Sequence, residues 1–159
     1  MLFNFLPLAL LLQICSALLE DVFVAFDQSS GGLPIHSATI VYSHDDAKGV
    51  EIAVNSLASD FEAITGSRPQ SWRYGSNGTS NPQGNAIIVS TSDSELMAQV
   101  SEHTDVDVSM LEGKWEAYMT VVVSNPLPGM DSALLIAGSD SKGAAFGVYA
   151  LAEQSGQSP

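Results

Sequence analysis

The hydrophobic residues of this chain follow two periods, one typical of helices and one typical of strands. In segment 44–69, apolar side chains recur at steps of three and four, which predicts a helix with one buried face. These positions are Val50, Ala53, Val54, Leu57, Phe61 and Ile64. Asp45 or Asp46 can cap the start of this helix. Gly66 can end it, and Pro69 prevents its continuation.

Runs rich in Val, Ile and aromatic residues predict strands elsewhere in the chain. They cover residues 21–27, 37–43, 85–91, 116–125 and 132–139. Two further helices are predicted, one at 92–103 opened by Ser92 or Asp93, and one from Ser141 to Ser155. The resulting order, β-β-α-β-α-β-β-α, predicts an α/β domain whose mixed sheet is packed by about three helices. The last two strands are joined by a loop, so we expect them to be antiparallel.

The segment Gly66–Gly84 is dominated by Gly, Ser, Asn and Pro, which predicts an exposed loop. Its aromatic residues Trp72 and Tyr74 follow no period, so we expect them to be exposed. Asn77 begins the triplet Asn-Gly-Thr, an acceptor sequence for N-glycosylation. We therefore expect a glycan on Asn77 if the chain passes through a glycosylating secretory route.

The first residues have the layout of a secretory signal peptide. An apolar run from Leu6 to Leu12 is followed by small residues that end at Ala17, although no Lys or Arg precedes the run. The run is too short to span a bilayer. We expect cleavage after Ala17, a secreted mature domain covering residues 18–159, and no membrane anchor. Cys15 lies in the signal, so the mature domain would contain no disulfide.

The charge of the chain narrows the range of partners. Eighteen acidic residues against five Lys and Arg give a formal net charge of -13. Such a chain repels phosphate backbones and anionic lipid headgroups, so we expect neither a nucleic-acid partner nor a membrane partner. The acidic residues are scattered, which favours a solvated surface.

Two polar segments invite a catalytic or binding interpretation. In residues 138–143, glycines and a lysine lie between a strand and a helix, but Lys142 precedes Gly143, which is the wrong order for a phosphate loop. We instead expect Ser139 or Asp140 to cap the last helix, while its glycines let it lie close on the sheet. No cofactor is predicted from this pattern.

The second polar segment contains the adjacent carboxylates Asp45 and Asp46 beside His44. Paired carboxylates can perform acid–base or metal chemistry. Adjacent side chains seldom converge on one atom, however, and Asp is favoured in the first turn of a helix by the helix dipole. We therefore interpret both as structural caps, with no catalytic or metal-binding residue identified from the pattern alone.

Several motifs near the end of the chain occur in the same combination in a known family. They are Gly113-Lys114-Trp115-Glu116 with Tyr118, Asn125-Pro126 with Pro128-Gly129, Ile136 to Asp140, and Gly147 and Tyr149 before Glu153-Gln154. With these motifs, segment 111–159 resembles the xylan α-1,2-glucuronidases of glycoside hydrolase family 115. Residues 60–69 and 85–91 are similar to the opening domain of the same family, so the resemblance covers nearly all of the mature chain.

The resemblance implies the small N-terminal α/β domain that precedes the catalytic (β/α)₈ barrel in that family. A barrel takes about 250 residues in the usual case, so it is absent from this chain. The resemblance therefore implies no catalytic residue here, and the implied partners are the missing barrel and, for the full enzyme, a xylan-type polysaccharide. The alternative is a free-standing secreted carbohydrate-binding module that uses Trp72, Tyr74 or Trp115. Of these, Trp115 is expected to pack at the start of a strand.

Overall fold

The computed structural model describes residue 24 and residues 32–35, 38–75 and 81–156. The predicted signal peptide, the glycosylation site Asn77 and, apart from Val24, the first predicted strand lie outside the described residues. The elements are β1 (Thr39–Ser43), α1 (Lys48–Thr65), β2 (Ser71–Tyr74), β3 (Gly84–Thr91), α2 (Glu95–His103), a short 3-10 helix (Ser109–Leu111), β4 (Tyr118–Ser124), β5 (Met130–Gly138) and α3 (Ser141–Gln154). The predicted α/β class is confirmed.

The five described strands form one mixed sheet in the order β2-β1-β3-β5-β4. The pairs β1–β2, β1–β3 and β3–β5 are parallel. The last pair is antiparallel, with Tyr118 opposite Gly138 and Ser124 opposite Ser132, as its short connection predicted. The carboxyl ends of β1, β3 and β5 therefore lie at one edge of the sheet, together with the start of β4.

Strand β2 corrects the prediction of an uninterrupted exposed loop between Gly66 and Gly84. Its residues pair in parallel with β1, and Val41 lies opposite Trp72. Trp72 and Tyr74 are half-buried, with ring centroids 5.8 Å apart in an edge-on arrangement. A strand of four residues gives too few alternations to stand out within a Gly- and Ser-rich segment, so pairing with β1 decides this element.

Helices cover both faces of the sheet, and an apolar core lies on each side. Helices α1 and α3 pack on one face, where Leu57 and Leu151 are fully buried. Helix α2 and the 3-10 helix pack on the other face, which buries Leu96 and Leu111. Burying each such side chain stabilises the fold by about 1.5–3 kcal/mol. Among the described helices, none has the length and apolarity needed to cross a membrane.

Candidate functional site

The strand order identifies one crevice where a ligand would be expected. Helix α1 follows β1 and packs on one face, whereas α2 follows β3 and packs on the opposite face. In open α/β sheets, ligands bind outside the carboxyl ends of the strands at such a switch point. The side chains at this position are called the crevice cluster here. They are Ser43, Asp45, Asp46, Ser90, Thr91 and Ser94.

Asp46 connects the end of β1 to the end of β3. Its Oδ1 accepts hydrogen bonds from the Thr91 amide at 3.2 Å and from the Thr91 hydroxyl at 2.6 Å. Its Oδ2 accepts one from the Ser90 hydroxyl at 3.1 Å. Burial raises the pKa of Asp46, and the hydrogen bonds from Thr91 and Ser90 oppose that shift. Both carboxylate oxygens are thus occupied by groups of the chain itself.

Asp45 connects the end of β1 to the start of α2. Its Oδ1 accepts a hydrogen bond from the Ser43 hydroxyl, and its Oδ2 accepts one from the Glu95 amide at 3.0 Å. The bond from Ser43 is the main reason why the pKa of Asp45 lies below its usual value. Since Glu95 is the first residue of α2, Asp45 satisfies one of the free amides at that helix start.

Helix α1 is not capped by either aspartate, which corrects the sequence-based expectation. Its N-cap residue is Ala47, which makes no side-chain capping bond. Ala47 is exposed, so water can satisfy the first amides of α1 there. The hydroxyls and amide bound by Asp46 belong to buried residues of β3, where an unsatisfied group costs more. This cost explains why Asp46 is directed to β3.

The residues that sequence reasoning missed are Ser43, Ser90, Thr91 and Ser94. Ser94, not Ser92 or Asp93, is the N-cap of α2, and its Oγ accepts from the Met97 amide at 3.0 Å. It also shares a hydrogen bond with Ser90. The available signal was a hydroxyl residue at the carboxyl end of each of two buried strands. That signal becomes meaningful only when β1 and β3 are known to be neighbours.

The crevice cluster is closed by its own hydrogen bonds. Among the described residues, no buried side-chain nitrogen or oxygen lacks a hydrogen-bond partner. His44 and Glu95 lie at the exposed rim, with His44 Nδ1 3.7 Å from Glu95 Oε2. Within residues 38–75 and 81–156, no group of three His, Cys, Asp or Glu side chains could hold a metal ion. The cluster joins β1, β3 and α2, and each carboxylate oxygen of Asp45 and Asp46 accepts at least one hydrogen bond from the chain itself.

The start of α3 forms a second polar junction at the same edge of the sheet. Asp140 is the N-cap residue of α3, and its Oδ1 accepts from the Gly143 amide at 2.8 Å. Its Oδ2 accepts from the Glu116 amide at 3.0 Å. The bonds from Glu116 and Gly143 hold the pKa of Asp140 below its usual value. Asp140 therefore caps its own helix and anchors the segment before β4.

Ser139 has a different role from the predicted cap. Its hydroxyl accepts from the Ala117 amide at 3.0 Å, and its own amide donates to the Ala117 carbonyl at 2.8 Å. A Cβ at Gly143 would lie 2.2 Å from the same carbonyl oxygen. A Cβ at Gly147 would lie 2.5 Å from Ile136 Cγ2. The expectation that these glycines allow close packing of α3 on the sheet is confirmed.

The segment Glu112–Ala117, called the tryptophan loop here, presents an exposed indole beside this junction. Trp115 is 88% exposed, which corrects the expectation that it packs at the start of a strand. Glu116 follows it with a positive φ of 53°, and its Oε1 lies 2.8 Å from Lys142 Nζ on α3. The indole points to solvent although the backbone around it is tied to α3 and β5.

Helix α3 also exposes two large apolar side chains. Phe146 and Tyr149 are 45% and 46% exposed, and residues three apart lie on the same side of a helix. Their common surface is called the α3 face here. Apolar side chains grouped in this way mark contact surfaces more often than singly scattered ones do.

Comparison with known proteins gives matches among solved structures. No protein-family model matches the sequence, and no curated protein matches it. Among solved structures, the fold is similar to a family GH115 4-O-methyl-alpha-glucuronidase with specificity for decorated arabinogalactans, at a TM-score of 0.56 and 26% identity. The match covers 77% of this chain and 14% of that chain. The chain therefore contains a domain that resembles, at the level of the family, a small part of a GH115 glycoside hydrolase.

Proposed function

We propose that this chain is a non-catalytic N-terminal domain of a secreted glycoside hydrolase of the xylan α-1,2-glucuronidase type. The proposal rests on the coverage of the structural match. The match covers most of this chain but only 14% of the glucuronidase. On this proposal, removal of 4-O-methylglucuronic acid branches from xylan is performed by a barrel domain outside these 159 residues.

The geometry of the acidic side chains supports a non-catalytic role. An inverting glycosidase needs two carboxyl groups about 6.5–9.5 Å apart, with room between them for a water molecule. Asp45 and Asp46 are adjacent in the chain, and their oxygens accept hydrogen bonds from β1, β3 and α2. The two carboxylate oxygens of Asp140 accept hydrogen bonds from the amides of Glu116 and Gly143. These hydrogen bonds support a structural role for all three aspartates.

The α3 face supplies a surface through which the domain would contact the rest of the enzyme. Phe146 and Tyr149 are exposed beside one another, while the opposite side of α3 packs against α1 and β5. Domain contacts within one polypeptide resemble protein–protein interfaces, in which aromatic residues are enriched. The alternative of a free-standing binding module relied on three exposed aromatic residues. Trp72 and Tyr74 are half-buried, so they are less available for stacking on a sugar.

The test is an assay of the purified chain on glucuronoxylan and on its oligosaccharides. We expect no release of glucuronic acid, and we expect activity from a longer protein in which a barrel domain follows the chain. Turnover by the chain alone would contradict the proposal if Asp46→Asn or Asp140→Asn abolished it without unfolding the protein. The variant Asp93→Asn, at an exposed position, is the control for a change of charge.

A further inference from the structure

The two outermost strands of the described sheet, β2 and β4, differ in how they are protected against pairing with another chain. Strand β2 has four residues and carries Arg73, whose guanidinium donates to the His44 carbonyl at 2.9 Å. Strand β4 has seven residues and contains neither a charge nor a proline. Short length, charge and proline are the usual devices that prevent an outermost strand from pairing. Strand β4 has none of them.

The backbone groups of β4 point alternately toward β5 and away from it, on what is called here the outer side of β4. Asn125, directly after the strand, donates its amide to the Asp131 carbonyl at 3.0 Å, so it belongs to the positions that face β5. Antiparallel partners exchange hydrogen bonds at every second position, and the pairing of β4 with β5 is regular. The outer positions therefore include Thr120, Val122 and Ser124. In the described part of the chain, no hydrogen bond reaches their amides or carbonyls.

The space beside the outer side of β4 is open. A groove of about 370 Å³ lies there, lined by residues 121–124 of the strand and by residues 103–106 at the end of α2 and after it. Val122, in the middle of the outer positions, is 56% exposed. Valine is favoured in strands because its branched side chain packs against cross-strand neighbours. The described chain thus leaves both room beside β4 and an apolar side chain without such a neighbour.

The outer positions of β4 are self-complementary, so a second copy of this chain can pair with them. With a two-fold axis at Val122, this residue faces its own equivalent, and Thr120 faces Ser124 of the other copy in both directions. Each facing pair can exchange two hydrogen bonds. The Cβ atoms of opposite residues lie about 4.5–5.5 Å apart, so the two valines cover one another. The pattern ends at Pro126, which has no amide to continue it.

The charge distribution favours this strand as the contact between copies. Two chains of net charge -13 repel one another, and like charges placed directly opposite across strands are destabilising. Strand β4 has no charged side chain, so its pairing with itself brings no like charges together. A basic segment of another protein would find no acidic partner on the strand. The complement of an uncharged strand rich in valine is another such strand, and β4 is one itself.

We infer that β4 is a homodimer interface, at which the β4 strands of two copies pair antiparallel about a two-fold axis at Val122 and join the two sheets into one. The assembly closes at two copies because β2, the other outermost strand, is short and charged. One strand pair is a small interface, so the dimer is weak. Salt strengthens it by screening the repulsion between the two acidic chains. The pairing concerns this chain alone and does not rely on the proposed function.

Sedimentation equilibrium of the purified chain, over a range of protein and salt concentrations, tests this inference. We expect a monomer–dimer equilibrium whose dissociation constant falls as salt rises. Val122→Lys should raise the dissociation constant by about tenfold or more, because it places like charges opposite one another at the axis. Val122→Glu should do the same, and an equal mixture of the two variants should associate again, since the facing pair then carries opposite charges. Phe146→Ser, on the α3 face, is the control and should associate like wild type.

Amide hydrogen exchange, resolved residue by residue, tests the pairing without any substitution. Raising the protein concentration should slow exchange at the outer amides of Thr120 and Val122, and should change exchange less at Val121, which already bonds to β5. Exchange of the outer amides that is independent of concentration would overturn the inference.

Four results of the sedimentation experiment would also overturn it. They are a chain that stays monomeric throughout, association of Val122→Lys like that of wild type, no association in the mixture of the two variants, and assemblies that grow beyond dimers. Loss of association in Phe146→Ser would contradict it as well, because the α3 face would then be the contact between copies.

Discussion

The crevice cluster and the tryptophan loop lie at the same edge of the sheet but use their polar groups in opposite ways. In the crevice, Asp45 and Asp46 bind hydroxyl and amide groups of β1, β3 and α2. At the loop, Asp140 and Ser139 bind only the backbone on one side of Trp115, and the indole faces solvent. The position at which α/β sheets usually bind ligands is therefore closed, whereas the neighbouring corner is open.

This difference shows that a switch point in the strand order is not by itself evidence of an open ligand site. A switch point supplies free amides and strand ends, but in this chain two aspartates occupy them. Between the two regions, the Ser92 amide after β3 donates a hydrogen bond of 2.8 Å to the Gly138 carbonyl at the end of β5. The crevice stabilises this edge, and the loop is displayed from it. Substitutions of the hydrogen-bonded aspartates should therefore lower stability, whereas substitution of the exposed Trp115 should not.

The largest effect is expected from Asp46→Ala in the crevice. The change leaves the hydroxyls of Ser90 and Thr91 and one amide without their acceptor, at a cost of about 2–3 kcal/mol in the free energy of unfolding. Urea denaturation of the variant measures this loss. Asp93→Ala removes a nearby exposed carboxylate and should change stability by less than about 0.5 kcal/mol. Equal losses for the two variants would contradict the structural role of Asp46.

Gly143→Ala should disturb the tryptophan loop through the packing of α3 against Ala117. The new Cβ would lie 2.2 Å from the Ala117 carbonyl oxygen, so α3 must move away from the start of β4 at a cost of about 1–3 kcal/mol. Gly49→Ala in α1 is the matched control, because nothing lies within 4 Å of its Cβ. That control should stabilise the protein by up to about 1 kcal/mol. If both variants shift the thermal midpoint in the same direction, the close contact at Gly143 is not as described.

Removing the cap of α3 should have a smaller effect. Asp140→Ala should destabilise the protein by about 1 kcal/mol, a typical cost for an N-cap residue, and should loosen the backbone next to Trp115. Ser139→Ala removes the neighbouring bond to Ala117 but leaves the cap in place. Denaturation together with the fluorescence of the exposed indole separates the two effects. A loss near zero for Asp140→Ala would remove the capping role.

The pH dependence of stability should have opposite signs in the two regions. The pKa of Asp140 is lowered from 3.8, so its contribution is complete above that value and is lost as pH falls below it. The pKa of Asp46 is raised from 3.8 by burial, so protonation favours the folded state as pH falls through the interval above 3.8. As pH falls, the stability of wild type relative to Asp140→Asn should decrease. Its stability relative to Asp46→Asn should increase. Denaturation at a series of pH values checks both, and equal trends would contradict the assignment.

The smallest change in stability is expected for Trp115→Ala. Because the indole is 88% exposed, its removal should alter the free energy of unfolding by less than about 0.5 kcal/mol. Trp72→Ala, at a half-buried ring that contacts Tyr74, should cost about 1 kcal/mol or more. Denaturation of both variants measures the two losses of stability, and their ratio shows which indole stabilises the fold. A larger loss for Trp115 would show that the tryptophan loop is part of the core.

Local sequence patterns determined most of the elements. The steps of three and four from Val50 to Ile64 encode α1, and Gly66 ends it with a φ of 75°. The dipeptide Ser139-Asp140 before an apolar segment predicts the start of α3, and Asp140 does occupy the N-cap. These features are readable because their partners lie within a few residues along the chain. The α/β class follows from their order.

Only the tertiary structure decided the partners of residues far apart in sequence. Strand β2 exists because β1 offers it a free edge, not because four residues have a clear period. Asp46 binds residues 44 and 45 positions away, and Asp45 binds an amide 50 positions away, so neither acts as the local cap that its neighbourhood suggests. Next to the exposed Trp115, the amides of Glu116 and Ala117 donate hydrogen bonds to Asp140 and Ser139, which fix the loop backbone. Short-range patterns encode periods and caps, whereas strand order sets which distant polar groups meet and which aromatic ring is left uncovered.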